Sequence, residues 1–414
     1  MDLRNTLNHL SPSERCETRR QRIEQELGID LSPLSIDPAK LGRAEEQNCE
    51  NMFGYVPIPV GYAGPLPVTF DSGETADIHL PLATTEAALV ASVNRGCKAL
   101  RLSGGVKTES VYHGVTRSLA LRMKNKELRM KDEQEIRIRE KEWKKIGEAT
   151  SNHLKLLKYD IDTKDDCIFL TIYADTDDAM GMNMVTIAAE AIGKWLAQNI
   201  GRCVTPSVVE EQRTAWEFVT VAANVDSDKK PSKRTHDRGR GYEVTATAII
   251  PTDVIRSILK TTPEDLLEIA HTKLELGSEI AGAIGRNCHA ANIIAALYLA
   301  TGQDPAHVVE GSLADTTVRG VSPLPGGEGQ GEGSIVISTR LPALLVGIRG
   351  GGTTLPAQSQ ALRLLLPPTP YSLPPRQRLA ESIGAAVLAG ELSLLAALSS
   401  HHLAQSHKIL ARSQ

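Results

Sequence analysis

The chain has 414 residues, of which 41% are apolar and 23% are charged, and its net charge is −4. This length predicts two or three domains, because single cores rarely grow beyond roughly 250–300 residues. The slightly acidic balance offers no basic footprint for nucleic acid. The six cysteines are scattered and neither CxxC nor HExxH occurs, which indicates reduced thiols inside a cell and no metal site.

The N-terminus contains no apolar run, so we expect no signal peptide. No stretch reaches the roughly 18 uncharged apolar residues that a membrane span requires. The most apolar candidate, residues 383–398, is interrupted by Glu391. We therefore expect a cytoplasmic protein without a membrane-spanning segment.

The first predicted elements are helices and turns. Residues 1–49 are polar and are expected to be helical, with a break at Ser32. Residues 50–110 contain turns rich in proline and glycine, followed by a helix-like run over 85–103. Residues 120–148 mix charges of both signs, which is typical of one solvated helix face.

The rest of the chain is predicted to alternate strands, helices and one flexible loop. The loop, residues 323–333, matches neither the phosphate-loop pattern nor G-x-G-x-x-G, so we assign it no ligand. A long helix is expected to begin near Ala179, capped by Asp177 and Asp178. The other predicted elements are strands at 167–175 and 243–250, helices within 264–301 and a strong C-terminal helix over 381–408.

Two polar segments contain candidates for chemistry, and each has a structural alternative. Glu86 is either a first-turn acid that favours a helix dipole or a carboxylic acid in an apolar pocket that donates a proton. The segment Asp228-Lys229-Lys230-Pro231 is either an exposed turn or a basic loop. In the basic loop, one ammonium would polarise a carbonyl oxygen while its neighbour binds a carboxylate.

A third segment places His289, Asn292 and Asp304 in small, apolar surroundings. Buried Asn and Asp need partners, because an unpaired polar group costs ~1–3 kcal/mol. Asp304 is therefore either a turn residue after a helix or the partner of a cation such as the lysine of the basic loop. Three tail histidines lie at or beyond a helix end, where a dipole contact is the ordinary explanation: His401, His402 and His407.

The cofactor candidate is the segment ADTDDAMGMNMV. Gly181 and Asn183, in the first turns of a predicted helix, permit close approach of a ligand, and free amides at a helix N-terminus bind phosphate well. Met180, Met182 and Met184 alternate, which is not the spacing of a helical core. The usual dinucleotide fingerprint is absent, so these residues alone leave the ligand open.

Seven segments, in their order along the chain, together resemble one protein family, the 3-hydroxy-3-methylglutaryl-CoA reductases. They are ENMFGYVPIPVGYAGPL, TTEAALVASVNRGCK, DAMGMNM, DKKP, HAANIIAALYLATGQDP, GGGTTLPAQ and AGELSLLAALSSHHLAQSH. One such motif would be weak evidence, whereas seven in order and at the family's spacing are very specific. The resemblance extends over about residues 50–407, which is most of the chain.

The resemblance implies an α/β (α+β) fold in which a large domain, residues 50–110 and 220–414, binds CoA and forms dimers. A small ferredoxin-like domain, residues 111–219, would be inserted into it and bind the nicotinamide cofactor, and a helical segment, residues 1–49, would precede both. The implied activity is reduction of the HMG-CoA thioester to mevalonate and CoA in two hydride steps. NADPH is the expected cofactor, with NADH as the alternative.

The resemblance also implies partners and a localisation. The substrate would be HMG-CoA, and the membrane anchor of the animal members is absent from this sequence. In the family, the acid and the lysine come from different subunits. We therefore expect a homodimer, or a dimer of dimers, with active sites at the subunit interface.

Matching the motifs residue by residue assigns the roles that the family implies. Lys229 would polarise the thioester and aldehyde oxygen, with Asp304 beside it to tune its charge. Glu86 would protonate the aldehyde-level intermediate, and His407 would protonate the departing CoA thiolate. The expected contacts to the substrate carboxylate are Arg117, Lys230 and Lys273, and those to CoA and the rest of the substrate are Ser92, Asn94, Arg95, Lys260, His289 and Asn292. The expected cofactor contacts are Ser151, Asn152, Asp178, Met180, Gly181, Met182, Asn183, Arg349, Gly350 and Gly351.

Three departures from the family pattern bear on these expectations. Ala222 and Ala223 replace the usual Ser-Gly, which removes one substrate hydrogen bond. Arg349 replaces the usual Val before the glycine run, where it would add a contact to a phosphate. Asn152 replaces the Arg of many NADPH-using members, which weakens the expected contact with the 2′-phosphate.

Three other functions stay open on the sequence. Asn152 leaves room for the degradative direction, in which mevalonate is oxidised with NAD. A thioesterase would release CoA thiol without any nicotinamide. A silent CoA-binding or scaffold protein would lack the acid, lysine, aspartate or histidine of the family, and this chain has all four.

Overall fold

The computed structural model describes residues 9–123, 129–200, 216–321, 334–366 and 372–400, and the side chains of these residues except 129–132. The strands are β1 (Val60–Thr69), β2 (Thr75–Ala83), β3 (Val106–Met123), β4 (Lys155–Lys164), β5 (Cys167–Asp175), β6 (Trp216–Thr220), β7 (Gly241–Ile250), β8 (Asp315–Val321) and β9 (Ser334–Leu344). The predicted strands at 167–175 and 243–250 are confirmed as β5 and as part of β7.

The helices are α1 (Pro12–Leu27), α2 (Pro38–Leu41), α3 (Ala44–Gln47), α4 (Leu89–Leu102), α5 (Arg129–Ile138), α6 (Glu140–Glu148), α7 (Met182–Asn199), α8 (Lys233–Arg238), α9 (Thr252–Val254), α10 (Pro263–Ala270), α11 (Ser278–Ala281), α12 (Ala290–Thr301), α13 (Val308–Gly311), α14 (Pro356–Leu365) and α15 (Pro375–Ser399). Wider π-helical turns continue α9 through Ile255–Leu259 and α10 through His271–Gly277. Shorter 3-10 turns lie at Ser32–Leu34, Pro305–His307 and Gly351–Thr354.

One long strand, β3, joins two sheets. Its first half pairs with β1 and β7 in a sheet of order β2-β1-β3-β7-β9-β8. Its second half, from Val115, pairs antiparallel with β5 and β6, and β4 completes that smaller sheet beyond β5. The change of sheet occurs at Gly114, whose φ of 89° is a left-handed conformation that glycine adopts without strain.

The smaller sheet has the strand and helix order of a ferredoxin-like unit. Along the chain it runs from β3 through α5 and α6 to β4 and β5, and then through α7 to β6, which is a β-α-β-β-α-β succession. Its spatial order is β4-β5-β3-β6. The predicted fold class, a larger α/β body with an inserted ferredoxin-like unit, is therefore confirmed.

Each sheet has its own hydrophobic cluster. One cluster packs α4, α12 and α15 against the larger sheet, and the other packs α6 and α7 against the smaller sheet. A third, small cluster holds the N-terminal helices, where Glu45 pairs with Arg15 and with Arg19. The predicted break at Ser32 is also present, as the start of a 3-10 turn.

Helix α15 is the one described helix that is long and apolar enough to cross a membrane, but 83% of its most apolar stretch is buried inside the protein. Glu391, which interrupts that apolar run, is completely buried. Its carboxylate accepts the backbone N–H groups of Cys288 and His289 at 2.7 and 2.8 Å, and the Thr316 hydroxyl at 3.0 Å. Glu391 therefore accepts hydrogen bonds from backbone groups at the start of α12, and these bonds compensate for the burial of its charge.

Two predicted helices differ from those observed. The run over 85–103 becomes helical only at Leu89, because Ala88 has a φ of 70° and cannot belong to a right-handed helix. The charged run over 120–148 is not one helix: β3 extends to Met123, and α5 and α6 are separate. Trp143 of α6 is completely buried, so this segment packs against the small sheet as well as facing solvent. The predicted loop at 323–333 and the tail histidines lie outside the described residues.

Candidate active site

An ammonium and a carboxylate lie together just beyond the C-terminal end of α12. Lys229 Nζ is 2.8 Å from Asp304 Oδ2, and 42% of the lysine side chain is exposed. Asp304 also accepts the N–H of Ala306 at 3.0 Å. Burial by itself would raise the pKa of Asp304, but the hydrogen bonds from Lys229 and Ala306 outweigh it and lower that pKa. The carboxylate therefore stays ionised beside an ammonium that a substrate can reach.

Glu310 fixes the backbone of Lys229. Lys229 has a φ of 57°, a left-handed conformation that costs roughly 1–2 kcal/mol for a residue with a Cβ. Its backbone N–H donates to Glu310 Oε1 at 2.5 Å. Glu310 is completely buried, and Arg240 Nη1 lies 2.6 Å from the same oxygen. A buried ion pair thus holds the strained lysine in place.

Two guanidinium groups and two further carboxylates extend this buried cluster. Arg240 Nη2 is 3.0 Å from Asp228 Oδ1, and Arg117 Nη1 is 3.3 Å from Asp228 Oδ2. Asp226 is 3.7 Å from Arg117, and burial raises its pKa in spite of the neighbouring guanidinium groups. The Nε of Arg117 is buried and has no hydrogen-bond partner among the described residues. In this described part of the protein that donor is therefore left unsatisfied, which a buried polar group rarely is.

The other expected cations lie at two places near α12. Lys230 Nζ donates to the Asp228 carbonyl at 2.9 Å, so Lys230 stays with the basic loop. Lys273 is half-buried and lies close enough to Cys288 to affect its thiol, at the opposite end of α12. The neighbouring His289 has a buried Nε2 without a partner in the described part of the chain. Lys260 is exposed and ends the first π-helical turn.

Glu86 lies at the N-terminal end of α12, away from Lys229. Asn292 Nδ2, in the first turn of α12, donates to Glu86 Oε2 at 2.7 Å. Glu86 is exposed, so a single chain does not provide the apolar pocket that one alternative required. From Asn292 to Thr301 the helix extends about 14 Å at 1.5 Å per residue. Within one chain, α12 therefore separates the acid from the ammonium.

The expected CoA contacts on α4 lie beside α15. Arg95 donates to the Ser393 hydroxyl at 3.0 Å and to the Ser393 carbonyl at 2.6 Å, and Ser92 donates to the same hydroxyl at 3.0 Å. Burial lowers the pKa of Arg95. Asn94 is exposed and accepts the N–H of Gly64 at 3.0 Å. Arg95 and Ser92 therefore face the helix that leads to the tail, and Asn94 faces β1.

The candidate cofactor segment differs in detail from the sequence prediction. Helix α7 begins at Met182 with Gly181 as its N-cap, not at Ala179 with an aspartate cap. The preceding turn is closed instead by Thr176, whose hydroxyl donates to the Ala179 carbonyl at 2.8 Å. None of the described side chains caps α7, so its first N–H groups remain available to an anion. Asn183 is exposed in this first turn, whereas Met182 is buried, with its sulfur 3.2 Å from Arg240.

Arg349 and the glycine run lie directly against this segment. The Ile348 N–H donates to the Asp178 carbonyl at 2.9 Å, and Arg349 forms a β-bridge with Ala179. A cleft of about 760 Å³ borders the run. It is lined by Gly42, Arg43, Gln47, Asn48, Arg349, Gly350, Gly351 and Thr354. Arg43 and Arg349 both line this cleft, and two guanidinium groups suit a ligand with phosphate groups.

Ser151 and Asn152 lie near the candidate cofactor segment, because the neighbouring His153 contacts Asp177 of that segment. His153 Nδ1 is 3.1 Å from Asp177 Oδ2, and the His153 N–H donates to the Ser151 hydroxyl at 3.2 Å. Asn152 itself is exposed. The structure therefore brings together three segments that are far apart in the sequence: residues 151–153, 177–183 and 348–351.

The described residues contain one group of side chains with the spacing of metal ligands: Asp228, His307 and Glu310. Arg240 already donates to both carboxylates of this group, at 3.0 Å to Asp228 and 2.6 Å to Glu310. A guanidinium in that position repels a divalent cation. The absence of a metal site therefore stays a prediction. The candidate groups for chemistry here are the ammonium and the carboxylates.

Sequence reasoning missed three residues that hold Lys229. They are Arg240, His307 and Glu310, all of them buried. A signal was present for two of them, since His307 and Glu310 follow Asp304 at intervals of three residues and so share a face. Arg240 follows a glycine in the sequence RGRGY and gave no such signal.

Comparisons with known proteins agree on one family. The family model described as hydroxymethylglutaryl-coenzyme A reductase matches residues 15–412. The 3-hydroxy-3-methylglutaryl-coenzyme A reductase of Pyrococcus abyssi is 40% identical over 96% of this chain and 92% of that protein. That of Methanothermobacter thermautotrophicus is 36% identical over 98% of this chain and 95% of its own length.

Solved structures agree on the fold. The class II 3-hydroxy-3-methylglutaryl-CoA reductase of Streptococcus pneumoniae, solved with NADPH bound, superposes with a TM-score of 0.62 and is 19% identical. The superposition covers 95% of this chain and 100% of that one. At this identity the likeness shows the fold alone, whereas the family model and the relatives show descent. The chain therefore belongs to the hydroxymethylglutaryl-coenzyme A reductase family.

Proposed function

We propose that the chain reduces HMG-CoA to mevalonate and CoA in two hydride steps, with NADPH as the hydride donor. The observation that supports this most directly is the half-exposed ammonium of Lys229, 2.8 Å from an ionised Asp304. An ammonium in that position can donate a hydrogen bond to a carbonyl oxygen and stabilise the negative charge that develops there during hydride attack.

Asp304 has a second effect in this proposal. The carboxylate lies 2.8 Å from the Lys229 ammonium and orients it while it polarises the thioester oxygen and later the aldehyde oxygen. Glu86, bonded to Asn292, would protonate the alkoxide. His407 would protonate the departing thiolate, since an imidazole and a thiol exchange a proton readily near neutrality.

The substrate carboxylate would contact Arg117 and Lys230 of one chain and Lys273 of a second chain, because Lys273 lies at the opposite end of α12 within one chain. The support for this is the unpartnered buried Nε of Arg117, which needs an acceptor that the described part of the protein does not supply. The CoA portion would lie along α4 and the turn before α10, where Ser92, Asn94, Arg95 and Lys260 are found. His289 and Asn292, at the start of α12, would complete the contacts of the substrate.

NADPH would bind at the segment 177–183, with residues 348–351 and 151–152 on either side. The residues present fit such a group, because the uncapped start of α7 and Arg349 are suited to its phosphates. When bound, NADPH supplies the hydrides. Asp178, Met180, Met182 and Asn183 would orient it, and Gly181, Gly350 and Gly351 would allow its close approach.

We also propose a homodimer, or a dimer of dimers, in which one chain supplies Glu86 and the other supplies Lys229. The separation of these two residues by α12 within one chain supports this arrangement. The domain limits proposed with it are residues 1–49, then 50–110 with 220–414, and 111–219. A cytoplasmic location belongs to the same proposal.

The test is cofactor consumption with the purified protein and HMG-CoA. We expect two NADPH to be oxidised for each mevalonate formed, as the stoichiometry of thioester-to-alcohol reduction requires. NADH in place of NADPH measures the effect of Asn152. No loss of nicotinamide absorbance with either cofactor would refute the proposal, and release of CoA thiol without that loss would identify a thioesterase. The oxidative direction, which the comparisons do not support, would appear as faster turnover of mevalonate with NAD.

A further inference from the structure

His307 lies between the two carboxylates that hold Lys229. The imidazole is completely buried, with Nε2 3.7 Å from Asp304 Oδ2 and Nδ1 3.4 Å from Glu310 Oε1. Asp304 binds the Lys229 ammonium and Glu310 binds the Lys229 backbone N–H. The buried imidazole therefore lies beside both carboxylates that bind Lys229, one at its ammonium and one at its backbone N–H.

The surroundings of this ring favour two N–H donors. Neither ring nitrogen has a hydrogen-bond partner within the described residues, and each faces a carboxylate oxygen instead. A neutral imidazole has one N–H and one lone pair, so one of its nitrogens would direct a lone pair at a carboxylate. A protonated imidazole has two N–H groups and can donate to both carboxylates.

The charges that pack around His307 point the same way. With His307 neutral, the cluster has one more carboxylate than it has cations. The carboxylates are Asp226, Asp228, Asp304 and Glu310, and the cations are Arg117, Arg240 and Lys229. The buried Tyr298 hydroxyl also faces the cluster, but burial raises its pKa and it stays neutral. One further positive charge balances the group, as buried charges require.

Asp226 is the other residue that could hold the balancing proton, because burial raises its pKa. Its nearest charged neighbours, however, are the guanidinium groups of Arg117 and Arg240, at 3.7 and 4.0 Å, and these oppose the effect of burial on its pKa without cancelling it. His307 faces two carboxylates, which favour a cation. The position of the charges therefore assigns the proton to His307.

We propose that a protonated His307 is the positioning residue of Lys229, with one ring N–H directed at Asp304 and the other at Glu310 as ion-pair contacts. This inference rests on the proposed function, since Lys229 is the lysine that polarises the carbonyl. His307 touches neither substrate nor cofactor. It acts by keeping Asp304 against the ammonium and Glu310 against the strained backbone of Lys229.

The first test is His307→Gln in the full chain, with His271→Gln as the matched control. Glutamine keeps a hydrogen-bond donor but cannot take up a proton, and His271 is exposed and pairs only with Glu275 among the described residues. With the free aldehyde as substrate, no thiolate leaves and His407 is not needed. We expect kcat to fall roughly tenfold or more and KM to change by less than about threefold, because a small displacement of Lys229 costs rate more than binding.

The second test measures the proton directly, by nitrogen NMR of protein labelled at its histidines. We expect His307 to show two protonated ring nitrogens near neutral pH, in a signal that His307→Gln removes. Glu310→Gln takes away one carboxylate, so the ring should lose its proton at a lower pH than in the unsubstituted protein. If His307→Gln fails to fold, the signal that responds to Glu310→Gln identifies His307.

Three results would overturn the inference: wild-type kcat in a folded His307→Gln protein, a singly protonated His307 near neutral pH, or a signal that Glu310→Gln leaves unmoved. The proposed function fails separately. If the unsubstituted protein reduces neither HMG-CoA nor the aldehyde, that function is wrong, while the NMR experiment still decides the protonation of His307.

Discussion

At the scale of single residues, the protein holds one lysine from two directions. The Lys229 ammonium is bound by Asp304, and its backbone N–H is bound by Glu310. Because Glu310 is buried and paired with Arg240, the left-handed conformation of Lys229 does not relax to an ordinary one. The position of the ammonium is therefore set before a substrate binds, which is the arrangement that stabilises developing charge most effectively.

Lys229→Ala should abolish reduction of both the thioester and the aldehyde while CoA still binds. Loss of the only group proposed to polarise the carbonyl should lower kcat by roughly a thousandfold, as removal of such donors does in other enzymes. Absorbance assays of NADPH oxidation measure the loss of turnover, and calorimetric titration with CoA measures the retained binding. Lys233→Ala, an exposed lysine paired with Asp237, is the control and should leave both unchanged. Retained turnover in Lys229→Ala would contradict the polarising role.

At the scale of elements, the turn before α7 determines how a cofactor can approach. Gly181 has a φ of 87° and lies against Thr176, where a Cβ would come within 2.4 Å of the threonine side chain. Gly347 lies equally close to Met180, since a Cβ there would be 2.4 Å from the Met180 nitrogen. Gly181 thus allows the turn to fold against its own Thr176, and Gly347 allows the segment before the glycine run to contact the turn.

Gly181→Ala should raise KM for NADPH roughly tenfold or more, since displacing the start of α7 misplaces the groups that orient the cofactor. The affinity for CoA should not change, because only the start of α15 contacts this turn, through Arg376. Ser393, which contacts the proposed CoA-binding residues, lies about 26 Å further along that helix at 1.5 Å per residue. Gly73→Ala is a matched control: its φ of 84° is similar, but a Cβ there meets nothing within 4 Å. Steady-state kinetics with varied NADPH provide the comparison. An equal effect in both variants would show that backbone strain, rather than the contact with Thr176, is responsible.

At the scale of the whole molecule, α12 is a spacer between two halves of an active site. Its start holds Glu86 through Asn292, and Asp304, just beyond its end, holds Lys229. The buried Glu391 fixes the start of the same helix. A rigid helix of this length cannot bring its own ends together, so the proposed site, which uses both residues, would need a second chain.

Mixing Glu86→Gln and Lys229→Ala proteins, each inactive alone, should restore activity after subunit exchange. In a mixed dimer one site has both substitutions and the other has none, so random exchange should give about a quarter of the unsubstituted activity. The assay is NADPH oxidation before and after exchange. Mixing Lys229→Ala with Lys229→Gln is the control and should restore nothing. If the first mixture also stays inactive although exchange is complete, the acid and the lysine come from the same chain.

Much of the architecture could be predicted because it depends on local patterns. The mostly apolar run of β5 and the apolar content of α15 are visible in the sequence, and both elements were found. Element ends were harder to predict. Ala88 has a positive φ, which the preferences of alanine do not indicate. The expected aspartate cap of α7 is absent, because Thr176 closes a turn just before that helix.

By itself the sequence determined the family, because seven short motifs in a fixed order are specific, and the fold class and the candidate site residues came from that resemblance. Only the tertiary structure decided how those residues are held. The pairing of Lys229 with Asp304, the support from Glu310 and Arg240, and the burial of His307 join segments distant along the chain. Such contacts depend on how helices and strands pack, and no local pattern of residues encodes the distance between them.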